Sequence, residues 1–162
     1  VQSLCYLESQ NKALPKSLEP RPEDEVQDGD LLFTRAGPNN RVGILCVAKP
    51  TRPKLMLSDK IIRLRLSTKA LPEFVAIQLS AEPVAAEIHK LKSGMAETQV
   101  NISQSKLKKV MVSLPSVDEQ RKIVRRIKSL TELIEELSVQ IEASRTTGEK
   151  LLEAMVAELT AA

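Results

Sequence analysis

With 162 residues, 42% of them hydrophobic and 28% charged, the chain is long enough for one ordinary domain and too apolar to remain disordered. Its net charge of +3 decides little by itself, no apolar run approaches the roughly 18 residues of a membrane span, and no basic-then-apolar leader opens the chain, so a cytoplasmic globular protein is expected. The two cysteines, Cys5 and Cys46, stand far apart and read as reduced structural thiols rather than a metal or redox pair. The start at Val1, without an initiator Met, leads us to expect a piece of a longer protein.

Residues 1–29 are polar, with prolines at 15, 20 and 22, and suggest loops and short extended pieces. Asp-Leu-Leu-Phe-Thr at 30–34 reads as a strand after a turn at Gly29, and Ala-Gly-Pro-Asn-Asn-Arg at 36–41 as a loop built on turn chemistry. The apolar run 42–47 fits a buried strand, and 49–54 a basic, proline-containing loop. Over 61–66 the pattern alternates: Ile62, Leu64 and Leu66 share one face, Arg63 and Arg65 the other. Pro72 can open a helix to about Leu79, and Pro83 a second whose face carries Val84, Ile88 and Leu91. Residues 92–100 are expected as a loop and 103–107 as a short helical turn. Val110, Val112 and Leu114 alternate as a last strand.

A helix start is then written out in full. Pro115 closes the preceding segment, Ser116 can cap the first turn, and Glu119 stands at capping-box spacing. From Ile123 the apolar residues step by four and three through Ile127, Leu130, Ile134, Leu137 and Ile141, weaken at Ser144 and Gly148, and resume at Leu151 and Met155. The helix this predicts over 117–159 would be roughly 65 Å long. A core of this size has no use for such a rod, so its apolar seam is expected to pair with another helix; with no second seam in the chain, a homodimer or larger oligomer is expected. The weak middle suggests a local kink or close approach.

Charge is unevenly placed. Residues 19–30 carry six acids against Arg21, whereas 31–72 carry nine bases against Asp59 alone. A concentrated basic stretch attracts polyanions through phosphate contacts and counterion release. Catalytic chemistry, in contrast, is missing. The single histidine, His89, falls on a predicted helix beside Ile88, where a surface or packing role is expected. No His/Cys set has metal-ligand spacing, and the five glycines form neither a dinucleotide fingerprint nor a phosphate loop. The acids Glu23, Asp24 and Glu25 lack the nearby lysine of a nuclease site and read as a solvated linker. Three aromatic residues, Tyr6, Phe33 and Phe74, give no stacking platform for single strands, so a nucleic-acid partner would be duplex, read by Arg, Lys, Asn and Gln.

Four stretches, in order, resemble the specificity subunit of type I restriction–modification systems. They are Gly-Asp-Leu-Leu-Phe-Thr-Arg-Ala-Gly at 29–37, Ser-Asp-Lys-Ile-Ile-Arg-Leu at 58–64, Asn-Ile-Ser at 101–103, and Leu-Pro-Ser-Val-Asp-Glu-Gln with Ile-Val at 114–124. The resemblance implies an α+β architecture: a small mixed α/β target-recognition domain over 1–115, truncated at its N-terminus, followed by a long coiled-coil spacer helix over 116–162. It implies a non-catalytic DNA-reading subunit that recognises half of a bipartite duplex site. Its partners would be modification and restriction subunits and a second spacer helix. The chain itself would hold no cofactor, while the complex would use S-adenosylmethionine, ATP and Mg.

Candidate DNA contacts are Arg35, Asn39, Asn40 and Arg41 in the first loop, Arg52 and Lys54 in the second, Lys60 before the alternating strand, and Lys92, Ser93 and Gln99 in the third. Arginine can bond guanine at two points and asparagine can do the same for adenine, although Asn39-Asn40 after Pro38 makes a turn with or without DNA. The helix-pairing set is Ile123, Ile127, Leu130, Ile134, Leu137, Ile141, Leu151 and Met155. The competing reading is a structural coiled-coil oligomerisation protein whose basic stretch is incidental.

Overall fold

A computed structural model describes residues 11–160. These fall into two units, a globular one ending at Arg121 and a helical one beginning at Lys122.

The globular unit is built on a three-stranded antiparallel sheet of order β3-β1-β4, formed by β1 (Leu31–Thr34), β3 (Leu45–Val47) and β4 (Ile61–Leu64). The central strand β1 pairs Leu31 with Val47 and Phe33 with Leu45 on one side, and Leu31 with Leu64 and Thr34 with Ile61 on the other. Every residue of β1 is buried, which is why Leu31–Phe33 is a continuous apolar run rather than an alternation. Alternate residues serve two cores. Leu31, Phe33, Leu45, Ile62 and Leu64 face α1 (Pro72–Ser80) and α2 (Val84–Lys90), joining Val75, Ala76, Leu79 and Ile88. On the opposite face, Leu32, Cys46 and Ala48 meet Val26, Leu55, Leu57 and Ile61. That second layer is the crossover 48–60, which must return along the sheet because β3 and β4 run in the same direction on either side of β1.

The segment that the sequence suggests as a solvated acidic linker is in fact structural. Residues 22–24 form a single 3-10 turn, Glu25 bridges to Met56, and Val26 donates to the Leu55 carbonyl at 2.8 Å. Arg63 holds this layer down from the polar face of β4. Its Nε lies 2.8 Å from Asp30 Oδ2, off the line that a hydrogen bond requires, and its terminal nitrogens donate to the carbonyls of Glu23 and Glu25. An arginine fork can satisfy an acid and two carbonyls at once, so the local charge is compensated inside the fold.

A second antiparallel sheet has the order β2-β6-β5, from β2 (Ala36–Gly37), β5 (Ser93–Ala96) and β6 (Gln99–Asn101). The expected loop 92–100 is therefore a hairpin, with Ala96 paired to Gln99 across Glu97-Thr98. The turn lacks the Asn-Gly or Asp-Gly pair that marks such hairpins in sequence. Gly94 is required there: a Cβ would stand 2.3 Å from the Gln99 carbonyl oxygen. The helix α3 (Gln104–Leu107) follows, its first turn capped by Ser103 Oγ, which accepts from Lys106 N at 3.3 Å.

The expected strand over 110–114 does not form. Val110 and Val112 pack against the main core while Met111 is 80% exposed, so the alternation records an extended chain lying on apolar surface without a neighbouring strand to bond. At its end Ser116 Oγ accepts from Glu119 N at 3.3 Å, opening α4 (Val117–Thr160). Gln120, 0% exposed, is fixed by three bonds: Leu71 N donates to its Oε1 at 2.9 Å, and its Nε2 donates to the carbonyls of Lys69 and Pro115, both at 2.8 Å.

The helical unit continues α4 to Thr160 without interruption. Helix runs unbroken through Ser144 and Gly148, and the space beside Gly148 is open among the described residues. Exposed pairs at i,i+3 and i,i+4, such as Arg145 with Glu142 at 3.3 Å and with Glu149 at 3.6 Å, add a few tenths of a kcal/mol each. Ile123, Val124 and Ile127 are half-buried, but from Leu130 on its large apolar side chains are open to solvent: Leu137 is 46% exposed, Ile134 62% and Ile141 68%. None of the described helices is long and apolar enough to cross a membrane.

Candidate nucleic-acid interface

The strand β1 ends at Thr34, and the chain there leaves the core. Thr34 N donates to the Ile44 carbonyl and Gly43 N to the Thr34 carbonyl, both at 2.9 Å, so 35–42 is a closed excursion. Gly43 allows the return, with φ at +96°. Within the excursion Arg41 N and Val42 N both bond the Pro38 carbonyl, at 2.8 and 3.2 Å. Val42 plugs the core, and Asn40 and Arg41 beside it are exposed. Neither side chain makes a hydrogen bond or ion pair among the described residues.

The hairpin β5–β6 reaches the same place. Because β2 pairs with β6, the hairpin tip comes against the 38–42 turn, and Asn39 N donates to the Glu97 carbonyl at 2.8 Å. Asn39 Nδ2 donates to Glu97 Oε2 at 3.0 Å, and Lys92 Nζ donates to Asn39 O at 2.8 Å and to Asn39 Oδ1 at 3.1 Å. Burial holds the Lys92 ammonium below its ordinary value, with Glu97 pulling in the opposite direction. Ser93 Oγ is turned to Asn101, whose carbonyl accepts at 3.2 Å, while Gln99 remains exposed on β6.

Arg35 points elsewhere. It is half-buried beside a cleft of about 490 Å³ lined by Arg21, Arg63, Arg65, Ser58 and Gln104, with Glu23, Asp24 and Asp59 also on its walls. The Arg35 Nε is buried and lacks a hydrogen-bond partner. Its backbone N donates to the Lys60 carbonyl at 2.8 Å, which brings exposed Lys60 to the same end of the sheet.

Eight of the ten sequence-derived candidates thus gather where β1 ends: Arg35, Asn39, Asn40, Arg41, Lys60, Lys92, Ser93 and Gln99. Arg52 and Lys54 do not join them. They lie on the crossover that leaves β3 at its Val47 end, where Lys54, at φ +63°, donates its backbone N to the Glu25 carboxylate. Glu97 and Arg21 escape the sequence reading. An acid at a hairpin tip carries no signature, and only the pairing of β2 with β6 brings it to Asn39. His89 lies on the exposed side of α2, next to buried Ile88, as expected. Among the described residues no three His, Cys, Asp or Glu side chains are arranged to hold a metal ion. Such an arrangement offers hydrogen-bond donors, acceptors and positive charge to a polyanion.

Comparison with known proteins points the same way. A family model described as the type I restriction modification DNA specificity domain matches residues 8–143. The type I restriction enzyme EcoEI specificity subunit of Escherichia coli is 42% identical over 156 residues, covering 96% of this chain and 26% of that protein. The EcoKI specificity subunit of Escherichia coli strain K12 is 35% identical over 139 residues, covering 83% of this chain and 29% of that protein. The chain spans little more than a quarter of the length of these relatives.

Proposed function

Because the chain belongs to the family of type I restriction modification DNA specificity domains, we propose that its globular part reads one half of a bipartite duplex DNA site. In this reading residues 1–115 are the target-recognition domain and 116–162 the spacer helix. The observation that carries it is the gathering of exposed Asn40, Arg41, Gln99 and Lys60 at one end of the β3-β1-β4 sheet, with the Arg35 cleft beside them. Arginine and amide side chains at loop apices can reach base edges, and arginines in an open cleft can hold phosphates. A purely structural coiled coil is not favoured, since the family match covers the globular residues as well as the helix.

The chain's part is recognition rather than catalysis. Modification and restriction subunits would bring methyl transfer and cleavage, with S-adenosylmethionine, ATP and Mg, in the cytoplasm. The seam Ile123, Ile127, Leu130, Ile134, Leu137, Ile141, Leu151 and Met155 would pair with a second spacer helix, or with a second copy where that helix is missing. Supporting this, Leu133, Leu152 and Val156 widen the exposed apolar stripe beyond the seam, and so much apolar surface on a lone helix calls for a partner.

The test is duplex binding by the assembled complex as a function of salt. Log affinity should fall linearly with log salt, by about 0.9 per phosphate neutralised. Arg41→Ala should relax selection at one base pair, by about 1–3 kcal/mol for a bidentate contact. Binding without salt dependence would contradict the proposal.

A further inference from the structure

We propose that Asn39, Lys92 and Glu97 are positioning residues, a clasp that locks the 38–42 turn to the β5–β6 hairpin as one preformed surface, and that base reading falls to Asn40, Arg41 and Gln99. The inference rests on the DNA reading above and divides its candidate residues by what each side chain already does.

Both ends of the Asn39 amide are already engaged within the protein. Its backbone N and side-chain Nδ2 both donate to Glu97, at 2.8 and 3.0 Å, and its backbone O and Oδ1 both accept from Lys92 Nζ, at 2.8 and 3.1 Å. Reading adenine needs both ends of the amide at once. Asn40, the next residue, is exposed and makes no bond among the described residues.

Lys92 is equally committed. Its stem passes close to Gly43, where a Cβ would stand 3.8 Å from Lys92 Cε and 3.6 Å from Ile88 Cγ2. The stem therefore passes beside Ile88 while the half-buried head is turned to Asn39. A cation meant for a phosphate would be held out in solvent.

The clasp has mechanical work to do. The strand β2 contributes only Ala36 and Gly37 to its sheet, so the ladder that ties hairpin to turn is short. Bonds at Asn39 fasten the far end, across the hairpin tip at Glu97. Fixing two loops before binding removes an ordering cost from the encounter, which raises affinity without adding a contact.

The test uses the assembled complex, a random duplex library and amide hydrogen exchange. Lys92→Met and Glu97→Ala should each lower affinity for the preferred duplex about tenfold and leave the preferred base unchanged at every position, while Lys92→Arg and Glu97→Gln restore binding. Exchange at the Asn39 amide should accelerate in the two damaging variants while Phe33 and Leu45 in the core stay protected. Arg41→Ala, in contrast, should alter the preference at one position and leave Asn39 exchange as it was. Loss of selection at a single base in Lys92→Met, or unchanged Asn39 exchange, would overturn the clasp. A wild-type complex that selects no duplex would overturn the DNA reading and this role with it, and the exchange measurement distinguishes that failure from the absence of a clasp.

Discussion

Replacing Gln120 by alanine tests why a glutamine stands one turn into the long helix. The side chain is wholly buried and satisfies one donor, Leu71 N, and two acceptors, the carbonyls of Lys69 and Pro115. A buried polar group left unpaired costs about 1–3 kcal/mol. Lys69 is exposed and Leu71 and Pro115 are half-buried, so water can reach all three groups once the side chain is gone. The lower end of that range, about 1 kcal/mol for each of the three groups, applies, and Gln120→Ala should cost the globular unit about 3 kcal/mol. Far-UV circular dichroism is a poor probe, since α4 dominates the signal. Cys46, 0% exposed and in no disulfide, is a better one in a Cys5→Ser background. Where opening is fast relative to labelling, modification of its thiol should quicken by about 100–200-fold. Gln120→Glu gives a chemical control. A carboxylate can accept from Leu71 N but faces two carbonyl oxygens, so its folded pKa should rise above the ordinary value near about 4.3. An acid whose folded pKa is raised contributes stability that is fully present below the unfolded pKa and lost as pH rises through the folded one. This variant should therefore be weak at pH 7 and recover on acidification. A Gln120→Ala labelling rate within threefold of wild type, or a Gln120→Glu protein indifferent to pH, would refute the reasoning.

Other consequences can be checked separately. Gly94→Ala places a methyl group 2.3 Å from the Gln99 carbonyl oxygen, and the hairpin must open to admit it; about 1–3 kcal/mol of stability should be lost, with faster exchange across 93–101. Arg63→Met leaves Asp30 without its ion partner and frees the Glu23 and Glu25 carbonyls, so about 2 kcal/mol should go and the amides of Val26 and Leu57 should exchange first. Leu130→Lys with Leu137→Lys should abolish helix pairing in sedimentation while Cys46 in the globular unit stays protected; an unchanged oligomer would place the pairing surface elsewhere.

How far the sequence could be read depends on which force shapes each segment. Where burial alone decides, pattern suffices: Leu31–Phe33 is a continuous apolar run because both faces of β1 are covered, and Ile62 and Leu64 turn inward opposite Arg63 because β4 is covered by polar groups on its other side. The start of α4 was legible because capping is local, a bond between Ser116 and Glu119 three residues apart. What the pattern missed was set by partners distant in sequence. The 93–101 hairpin depends on β2, more than fifty residues earlier, and the alternation at 110–114 looks the same whether or not a strand lies alongside. The candidate residues of the proposed interface were legible as a composition of Arg, Asn, Lys and Gln in loops. Its internal division was not, because Asn39 and Asn40 are the same residue type and only the fold tells which one meets Glu97.

The most direct measurement exchanges the globular unit. The complex carrying this chain should be compared, by selection from random duplexes, with one in which residues 1–115 are replaced by the matching part of the EcoEI specificity subunit. The prediction is that the bases of one half-site change while the other half and the distance between them stay fixed. Selection of an unaltered site by the exchanged complex would contradict the assignment of sequence reading to this end of the sheet.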